Sequence, residues 1–172
     1  MDSLIHTGQP APIFTLPALD GSLHRLEEGR GRIIVLNFWS AECPWAERGD
    51  RELLGYLPAW GQRAALWTIA SNAHETPELM IQAAAQRCLP IVLHDADQRV
   101  ADLYEAQTTP HFFVIDTDGI LRYQGALNNV TFRQRNATRF YLRDAVEALL
   151  SGTLPDPAQT APYGCTIVRH VD

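Results

Sequence analysis

The hydrophobic residues of this chain fall into short blocks, and three of these blocks are typical of buried strands. Residues 33–38 are apolar and β-branched at their start, and residues 65–70 and 91–93 repeat the pattern. An apolar run without polar alternation predicts a strand that is covered on both faces of its sheet. We therefore expect these blocks to form the interior of a sheet.

Segments with apolar residues at helical spacing separate the predicted strands. The predicted helices are residues 45–57, 77–87, 100–104 and 139–150. We expect the first helix to end at Pro58, because proline cannot donate a helical hydrogen bond. Pro77 suits the first position of the second helix, and Gly152 suits the residue that closes the last one.

Two predicted hairpins complete the pattern. Asp20-Gly21 is a turn between short extended pieces at residues 13–16 and 23–26, and Asp118-Gly119 is a turn between strands at residues 111–116 and 120–124. Alternating strands and helices followed by a hairpin predict an α/β fold. We expect a mixed central β-sheet with helices on both faces and an N-terminal β-hairpin extension, all within one domain of residues 1–150.

Residues 151–172 differ in character from this domain. The segment 152–164 contains three prolines and has no hydrophobic periodicity. We interpret it as a Pro-rich linker that leads to a C-terminal tail with Cys165. A flexible chain of this length spans roughly 20 Å.

Charge and hydropathy exclude several function classes. The 172 residues carry a net charge of −6, and every basic residue is an arginine. An acidic chain without a basic cluster is a poor nucleic-acid binder. No apolar run approaches the ~20 residues of a membrane span, and the N-terminus does not resemble a signal peptide, so we expect a cytoplasmic protein without membrane contact.

The three cysteines, Cys43, Cys88 and Cys165, are too few for a secreted disulfide framework. They form no C-x-x-C pair, and no metal, flavin or nucleotide site is apparent. We expect Cys88 to pack in the core. Cys43 lies between a predicted strand and the start of a helix, where N–H groups and the helix dipole lower a thiol pKa. The alternative is a small buried hydrophobic residue.

Residues 38–46 read Phe-Trp-Ser-Ala-Glu-Cys-Pro-Trp-Ala. This segment resembles the active-site segment of the thioredoxin-like superfamily, in particular the redoxin or AhpC/TSA branch. That branch includes peroxiredoxins and thiol–disulfide oxidoreductases of the TlpA/ResA type. The Thr109-Pro110 step and the late hairpin extend the resemblance over about residues 8–150. It implies a thioredoxin-like fold with Cys43 as the redox nucleophile.

The chain departs from this pattern at Ala46, where the oxidoreductases carry a second cysteine. The usual local thiol that resolves a mixed disulfide is therefore absent. Cys43 must act alone, use another cysteine, or use an external thiol. Cys165 on the tail is the candidate for the second thiol, and its alternative is an exposed cysteine without a partner.

The resemblance also implies roles for neighbouring residues. Ser40 matches the hydroxyl residue that helps peroxiredoxins hold a peroxide, with helix capping as the alternative. Arg122 matches their active-site arginine, which stabilises the thiolate, with a solvent-facing strand residue as the alternative. Thr109 and Pro110 match a cis-proline step that leaves the Thr109 backbone free to pair with a substrate strand. Trp45 flanks the site as a substrate-binding or packing residue.

Three functions follow from these observations. The first is a peroxiredoxin-like antioxidant oxidoreductase, favoured by Ser40 and Arg122. The second is a thiol–disulfide exchange protein of the TlpA/ResA type, favoured by the segment around Cys43. The third is a redox-inactive binding module, favoured by Ala46. The first two imply a peroxide or disulfide substrate, a thiol reductant resembling thioredoxin or glutathione, and no cofactor.

Overall fold

A computed structural model describes residues 3–172 of the chain. The strands are β1 Thr15–Pro17, β2 Leu23–Arg25, β3 Ile33–Trp39, β4 Ala64–Ala70, β5 Val92–His94, β6 Thr108–Thr109, β7 His111–Ile115, β8 Leu121–Gly125 and β9 Cys165–Thr166. The α-helices are α1 Pro44–Trp60, α2 Pro77–Gln86, α3 Arg99–Leu103 and α4 Tyr141–Leu150. A short 3-10 helix, Leu26–Gly29, follows β2.

The central sheet has five strands in the order β5-β4-β3-β7-β8. The pairs β3–β4 and β4–β5 are parallel, whereas β7 is antiparallel to both β3 and β8. This arrangement confirms the predicted mixed sheet. Its strand β3 is buried along its whole length, as the apolar run predicts.

Alternate side chains of β3 enter two separate hydrophobic cores. Leu36 and Phe38 pack on one face with residues from α3 and the N-terminal segments. Val35 packs on the other face with residues from α1 and α4. Because side chains alternate along a strand, this single strand joins both layers of the domain. The predicted helices on both faces are thus confirmed.

Both predicted hairpins are present. Strands β1 and β2 pair antiparallel, and so do β7 and β8. In the second hairpin the Asp116 side chain accepts hydrogen bonds from the backbone N–H groups of Asp118 and Ile120, each at 2.9 Å. Gly119 has φ +84°, a conformation that favours glycine, and it completes this turn.

Two local predictions are wrong. Helix α1 continues through Pro58 to Trp60 and closes with Gly61 N–H donating to Leu57 C=O at 3.1 Å. A proline so close to the C-terminal end removes one hydrogen bond without ending the helix. Cys88 is exposed rather than packed in the core, because it lies in the turn after α2 with φ +55°.

The C-terminal segment is not a free linker. We call residues 153–170 the strap, because they lie along the domain. Gln124 exchanges backbone hydrogen bonds with the strap at Ala158 and Thr160, at 3.1 and 3.0 Å. Further along, Ile167 is buried in the core beneath β3 and donates to Gln107 C=O at 3.1 Å. The expected flexible linker is therefore wrong: backbone pairing, which hydrophobic periodicity does not reveal, fixes this segment.

Among the residues described, no helix is both long enough and apolar enough to cross a membrane.

Candidate active site

Cys43 lies at the junction that the sequence predicts, between β3 and α1. It is the N-cap residue of α1, and Pro44 occupies the first helical turn. No hydrogen bond from the first-turn N–H groups to its sulfur is present, and the residue is 3% exposed. The sulfur is thus at the positive end of a 17-residue helix but is covered from solvent.

Cys165 of the strap covers it. Strand β9 pairs antiparallel with β6, and the register places Cys165 opposite Thr109. The two sulfur atoms of Cys43 and Cys165 are bonded across 122 residues of sequence, with their Cα atoms 6.2 Å apart. This separation lies within the usual range for disulfides. The structure therefore brings together the two cysteines that the sequence singles out.

The Thr109-Pro110 step forms the wall opposite Cys43. Its peptide bond is cis, as the resemblance implies. The Cys43 Sγ lies 3.0 Å from the Thr109 carbonyl oxygen. Contrary to expectation, the Thr109 backbone is not free to receive a substrate strand, because β9 already occupies that edge.

Gly164 allows the strap to pass over this wall at very short range. A Cβ atom on Gly164 would lie 2.7 Å from the Thr109 carbonyl carbon and 3.0 Å from the Pro110 nitrogen, and closer still to the Thr109 oxygen. These are backbone atoms, which cannot move aside as a flexible side chain can. Glycine is therefore required next to Cys165 for steric reasons.

Trp45 contributes to the site from the first turn of α1. Its indole packs edge-to-face on the ring of Tyr163, with the ring centres 4.9 Å apart. Tyr163 precedes Gly164 in the strap and accepts a hydrogen bond from Phe132 N–H at 2.6 Å. Trp45 thus contacts the strap beside the disulfide.

Ser40 makes a local hydrogen bond rather than a contact toward Cys43. Its hydroxyl accepts from Glu42 N–H at 3.2 Å, and the residue is 2% exposed. The capping alternative is not met either, since Cys43 and not Ser40 is the N-cap residue. The hydroxyl instead stabilises the turn between β3 and α1.

The structure does not place Arg122 at Cys43. Its Nε donates to Asp116 at 2.7 Å, beside the hairpin turn. The register pairs Phe38 with His111 at one end of β7 and Ile34 with Ile115 at the other. Four residues of strand correspond to about 13 Å. The predicted thiolate-stabilising contact is therefore wrong, because the Asp116 carboxylate holds the guanidinium at the opposite end of the sheet.

A buried polar cluster that the sequence analysis missed holds the segment before Cys43. The guanidinium of Arg87 donates to the carbonyl groups of Ser40 and Ala41 and pairs with Asp50 at 3.2 Å. Asp50 also accepts from Trp39 Nε1 at 2.8 Å. Burial raises the pKa of Asp50 to about 6, although both hydrogen bonds oppose the shift.

One signal in the sequence points to Asp50. It lies on the buried side of α1 with Ala46 and Leu53, which are both fully buried. A carboxylate at such a position requires a partner. Arg87 supplies it from the end of α2, a pairing between distant segments that spacing does not indicate.

A second polar chain links the loop before Cys43 to the end of the strap. The Glu75 carboxylate accepts from Ala41 N–H and, at 2.6 Å, from the Asn72 amide. Asn72 in turn accepts from Val168 N–H at 2.9 Å. The strap is therefore anchored on both sides of Cys165, by Tyr163 before it and by Ile167 and Val168 after it.

His111 is a packed strand residue. It is 3% exposed, and burial lowers its pKa to about 4. Its Nδ1 accepts from Gln107 N–H at 3.2 Å, so the ring is neutral at pH 7. Within residues 3–172 no three His, Cys, Asp or Glu side chains converge as a metal site.

Comparison with protein families agrees with this geometry. The model of the AhpC/TSA family matches residues 7–124, which include β3, Cys43, Pro110 and most of β8. The chain belongs to the AhpC/TSA family. The family match ends before α4 and the strap, so Cys165 lies outside it.

Curated relatives of this AhpC/TSA protein include thiol-disulfide oxidoreductases. It is 34% identical over 118 residues to the protein named thiol-disulfide oxidoreductase ResA of Geobacillus thermodenitrificans, an alignment covering 67% of this chain and 66% of the relative. It is 28% identical over 134 residues to the thiol:disulfide interchange protein DsbE of Yersinia pestis, covering 74% and 69%. The chain thus spans just under two thirds of the length of the first relative.

Solved structures show a thioredoxin-like fold and extend the likeness to the strap. A hypothetical protein from Sinorhizobium meliloti has a TM-score of 0.85 and 29% identity, covering 99% of this chain and 98% of its own. The thioredoxin domain of a thiol-disulfide oxidoreductase from Bacteroides vulgatus has a TM-score of 0.64 and 20% identity, covering 76% and 93%, and supports the fold alone.

Proposed function

We propose that this protein is a thiol–disulfide oxidoreductase in which Cys43 and Cys165 alternate between a dithiol and a disulfide. The observation that carries the proposal is the Cys43–Cys165 bond beside the Thr109-Pro110 step. The names of the ResA and DsbE relatives support the same class of reaction. Cys165 then supplies the second thiol, which the oxidoreductases carry at the position of Ala46.

The reaction begins from the reduced chain. The Cys43 thiolate attacks one sulfur of a substrate disulfide, forms a mixed disulfide and releases the other sulfur as a thiolate, which takes up a proton. The Cys165 thiolate then attacks the Cys43 sulfur, forms the internal disulfide and releases the second substrate thiol. The substrate gains two electrons and the protein loses two. An external dithiol restores the reduced chain by the same steps in reverse.

The two cysteines are suited to different steps. Cys43 is at the N-terminus of α1, where the helix dipole favours the thiolate and hence the first attack. Strand β9 holds Cys165 directly opposite Thr109, so its sulfur is already close to a mixed disulfide formed on Cys43. A fixed geometry of this kind gives intramolecular attack a large advantage over attack by solution thiols.

The geometry does not favour a peroxidase. Arg122, expected to stabilise the thiolate, is paired with Asp116, and the hydroxyl of Ser40, expected to hold a peroxide, accepts from Glu42 N–H. The exchange reaction requires neither group.

Single-cysteine variants test the proposal. The assay measures how fast each variant catalyses the reduction of a substrate disulfide by dithiothreitol. The variants are Cys43→Ser and Cys165→Ser. The matched control is Cys88→Ser, which alters an exposed cysteine outside the bridge. We expect Cys43→Ser to be inactive, Cys165→Ser to accumulate a substrate adduct on Cys43 by mass spectrometry, and Cys88→Ser to match the wild type. Full turnover by Cys43→Ser, or wild-type turnover by Cys165→Ser, contradicts the proposal.

A further inference from the structure

A groove opens beside the Cys43–Cys165 bond and has no part in the exchange steps above. It lies between α1 and the segment that follows β8, and its cavity volume is about 240 Å³. Its apolar walls are Trp45, Pro110, Leu127, Val130 and Tyr163. Neither cysteine lines the groove, but Trp45 and Tyr163 each lie two residues from a bridge cysteine, and Pro110 follows Thr109, whose carbonyl is 3.0 Å from the Cys43 sulfur.

Arginines surround this groove in a protein that is acidic as a whole. Arg48 and Arg51 of α1 line it directly. Opposite them, residues 126–139 contain three arginines and no aspartate or glutamate, whereas the whole chain has a net charge of −6. Positive charge is therefore concentrated on one side of the active site.

Contacts show that the arginine-containing segment forms the rim of the groove. Arg48 donates to the Arg135 carbonyl at 2.6 Å, which fixes the segment to α1. Phe132 donates to the Tyr163 hydroxyl, which fixes the neighbouring residues to the strap. Arg133 and Arg135 are exposed residues of this segment, and we call them the rim arginines although neither lines the groove itself.

The two rim arginines have free side chains. Within residues 3–172, neither the Arg133 nor the Arg135 guanidinium is within hydrogen-bond or ion-pair distance of a protein acceptor. By contrast, Arg51 pairs with Glu47 at 3.5 Å. One carboxylate, Glu52, lines the groove and accepts from the Asn128 amide at 2.9 Å, which leaves its negative charge in place. Among the described residues, Arg48, Arg133 and Arg135 outnumber it, so the net charge around the groove is positive.

We infer that this groove docks an acidic polypeptide segment of the protein that exchanges disulfides with Cys43. This inference rests on the proposed function and adds the chemistry of the partner. Carboxylates of the segment pair with Arg133 and Arg135, and an apolar side chain packs against Trp45. A polypeptide suits the site better than a small anion, because Phe132 beside Arg133 is 77% exposed and offers an apolar contact outside the groove.

Such a rim acts mainly on the rate of association. Opposite charges steer an encounter and raise its rate by about tenfold or more at low salt. Salt screens the effect over about 10 Å at 0.1 M ionic strength. The chemical step at Cys43 is unaffected, so small neutral disulfides gain nothing from the rim.

Activated peptides test the inference. Three peptides carry one cysteine as a neutral 2-pyridyl disulfide and differ only in flanking residues, which are glutamate, glutamine or lysine. The release of thiopyridone by the reduced protein gives each rate. We expect the acidic peptide to react about tenfold faster than the neutral one in low salt, with the advantage lost in 1 M salt.

The double variant Arg133→Gln/Arg135→Gln should reduce the rate of the acidic peptide to that of the neutral peptide. The matched control is Arg25→Gln/Arg32→Gln, which removes two exposed arginines elsewhere and should leave the ratio unchanged. Equal rates for all three peptides overturn the inference. The inference is also overturned if oxidised glutathione reacts as fast as the acidic peptide and depends equally on Arg133 and Arg135. The rim would then bind a small anion rather than a polypeptide.

A separate measurement distinguishes the two proposals. Dipyridyl disulfide is small and uncharged, so it reports Cys43 exchange without the groove. If it reacts with the reduced wild type and the peptides show no charge preference, only the partner inference fails. If it does not react at Cys43, the proposed function fails as well.

Discussion

Gly164→Ala perturbs the contact between the strap and the Thr109-Pro110 step. The added methyl group meets the Thr109 carbonyl carbon at 2.7 Å and its oxygen at a still shorter distance, whereas ordinary contact begins near 3.4 Å. Gly164 does not have a positive φ, so alanine fits its backbone conformation and the clash is the sole direct effect. The strap must therefore move away from Thr109 by at least 0.7 Å, the difference between 3.4 and 2.7 Å.

This movement weakens the disulfide more than the dithiol. The Cα atoms of Cys43 and Cys165 are 6.2 Å apart. Disulfides form up to about 6.8 Å, so the remaining margin is smaller than the required shift. The dithiol form tolerates the shift, since no covalent bond then holds the strap to Cys43. Overpacking costs about 1–3 kcal/mol. At about 1.4 kcal/mol per 30 mV, the midpoint potential rises by roughly 20–60 mV.

The assay equilibrates the protein with mixtures of reduced and oxidised dithiothreitol, traps free thiols by alkylation and counts them by mass spectrometry. Gly55→Ala is the matched control, because a Cβ at Gly55 meets no atom within 4 Å. Its midpoint should equal that of the wild type. A Gly164→Ala midpoint within about 10 mV of both refutes the steric argument.

Two further predictions concern stability. Ile167→Ala leaves a cavity at a core position that is 3% exposed. Denaturant titration of the oxidised chain should show a free energy of unfolding lower by about 2–5 kcal/mol. Val171→Ala, at a 92%-exposed position, should have no effect. The second prediction concerns Asp50, whose pKa is raised to about 6 by burial. The folded state therefore binds this proton more tightly than the unfolded state does. The resulting stabilisation is complete below the unfolded pKa near 3.8 and is lost as pH rises through 6. The stability of wild type relative to Asp50→Asn should therefore fall across this interval, by up to about 1.4 kcal/mol per pH unit; a constant difference contradicts the assignment.

The central sheet could be predicted from sequence because its strands carry their own signal. Residues 33–38 are apolar except for Asn37, and β3 is buried at every position. The hairpin turns also carry local signals, such as Gly119 with its positive φ. Such features depend on neighbours in the sequence, so one sequence is enough to find them.

The site could be predicted only in part, because its completion depends on long-range contacts. The position of Cys43 follows from local order, but the strap has no periodicity, and its backbone hydrogen bonds to Gln124 and Gln107 hold it in place. Arg122 shows the opposite failure. Arg122 matches a family position, yet its side chain forms an ion pair with Asp116, six residues away. A motif identifies a residue, but it does not show which neighbouring side chain pairs with that residue instead.

The most direct test of the exchange mechanism is peptide mapping of the reduced wild-type protein after addition of one equivalent of a small neutral disulfide. Samples are quenched with acid over time and analysed without reduction. The account predicts an adduct on Cys43 that gives way to a peptide linking Cys43 and Cys165, while Cys88 remains a thiol. A first adduct on Cys88, or a lasting adduct on Cys43 beside an unreacted Cys165 thiol, contradicts it.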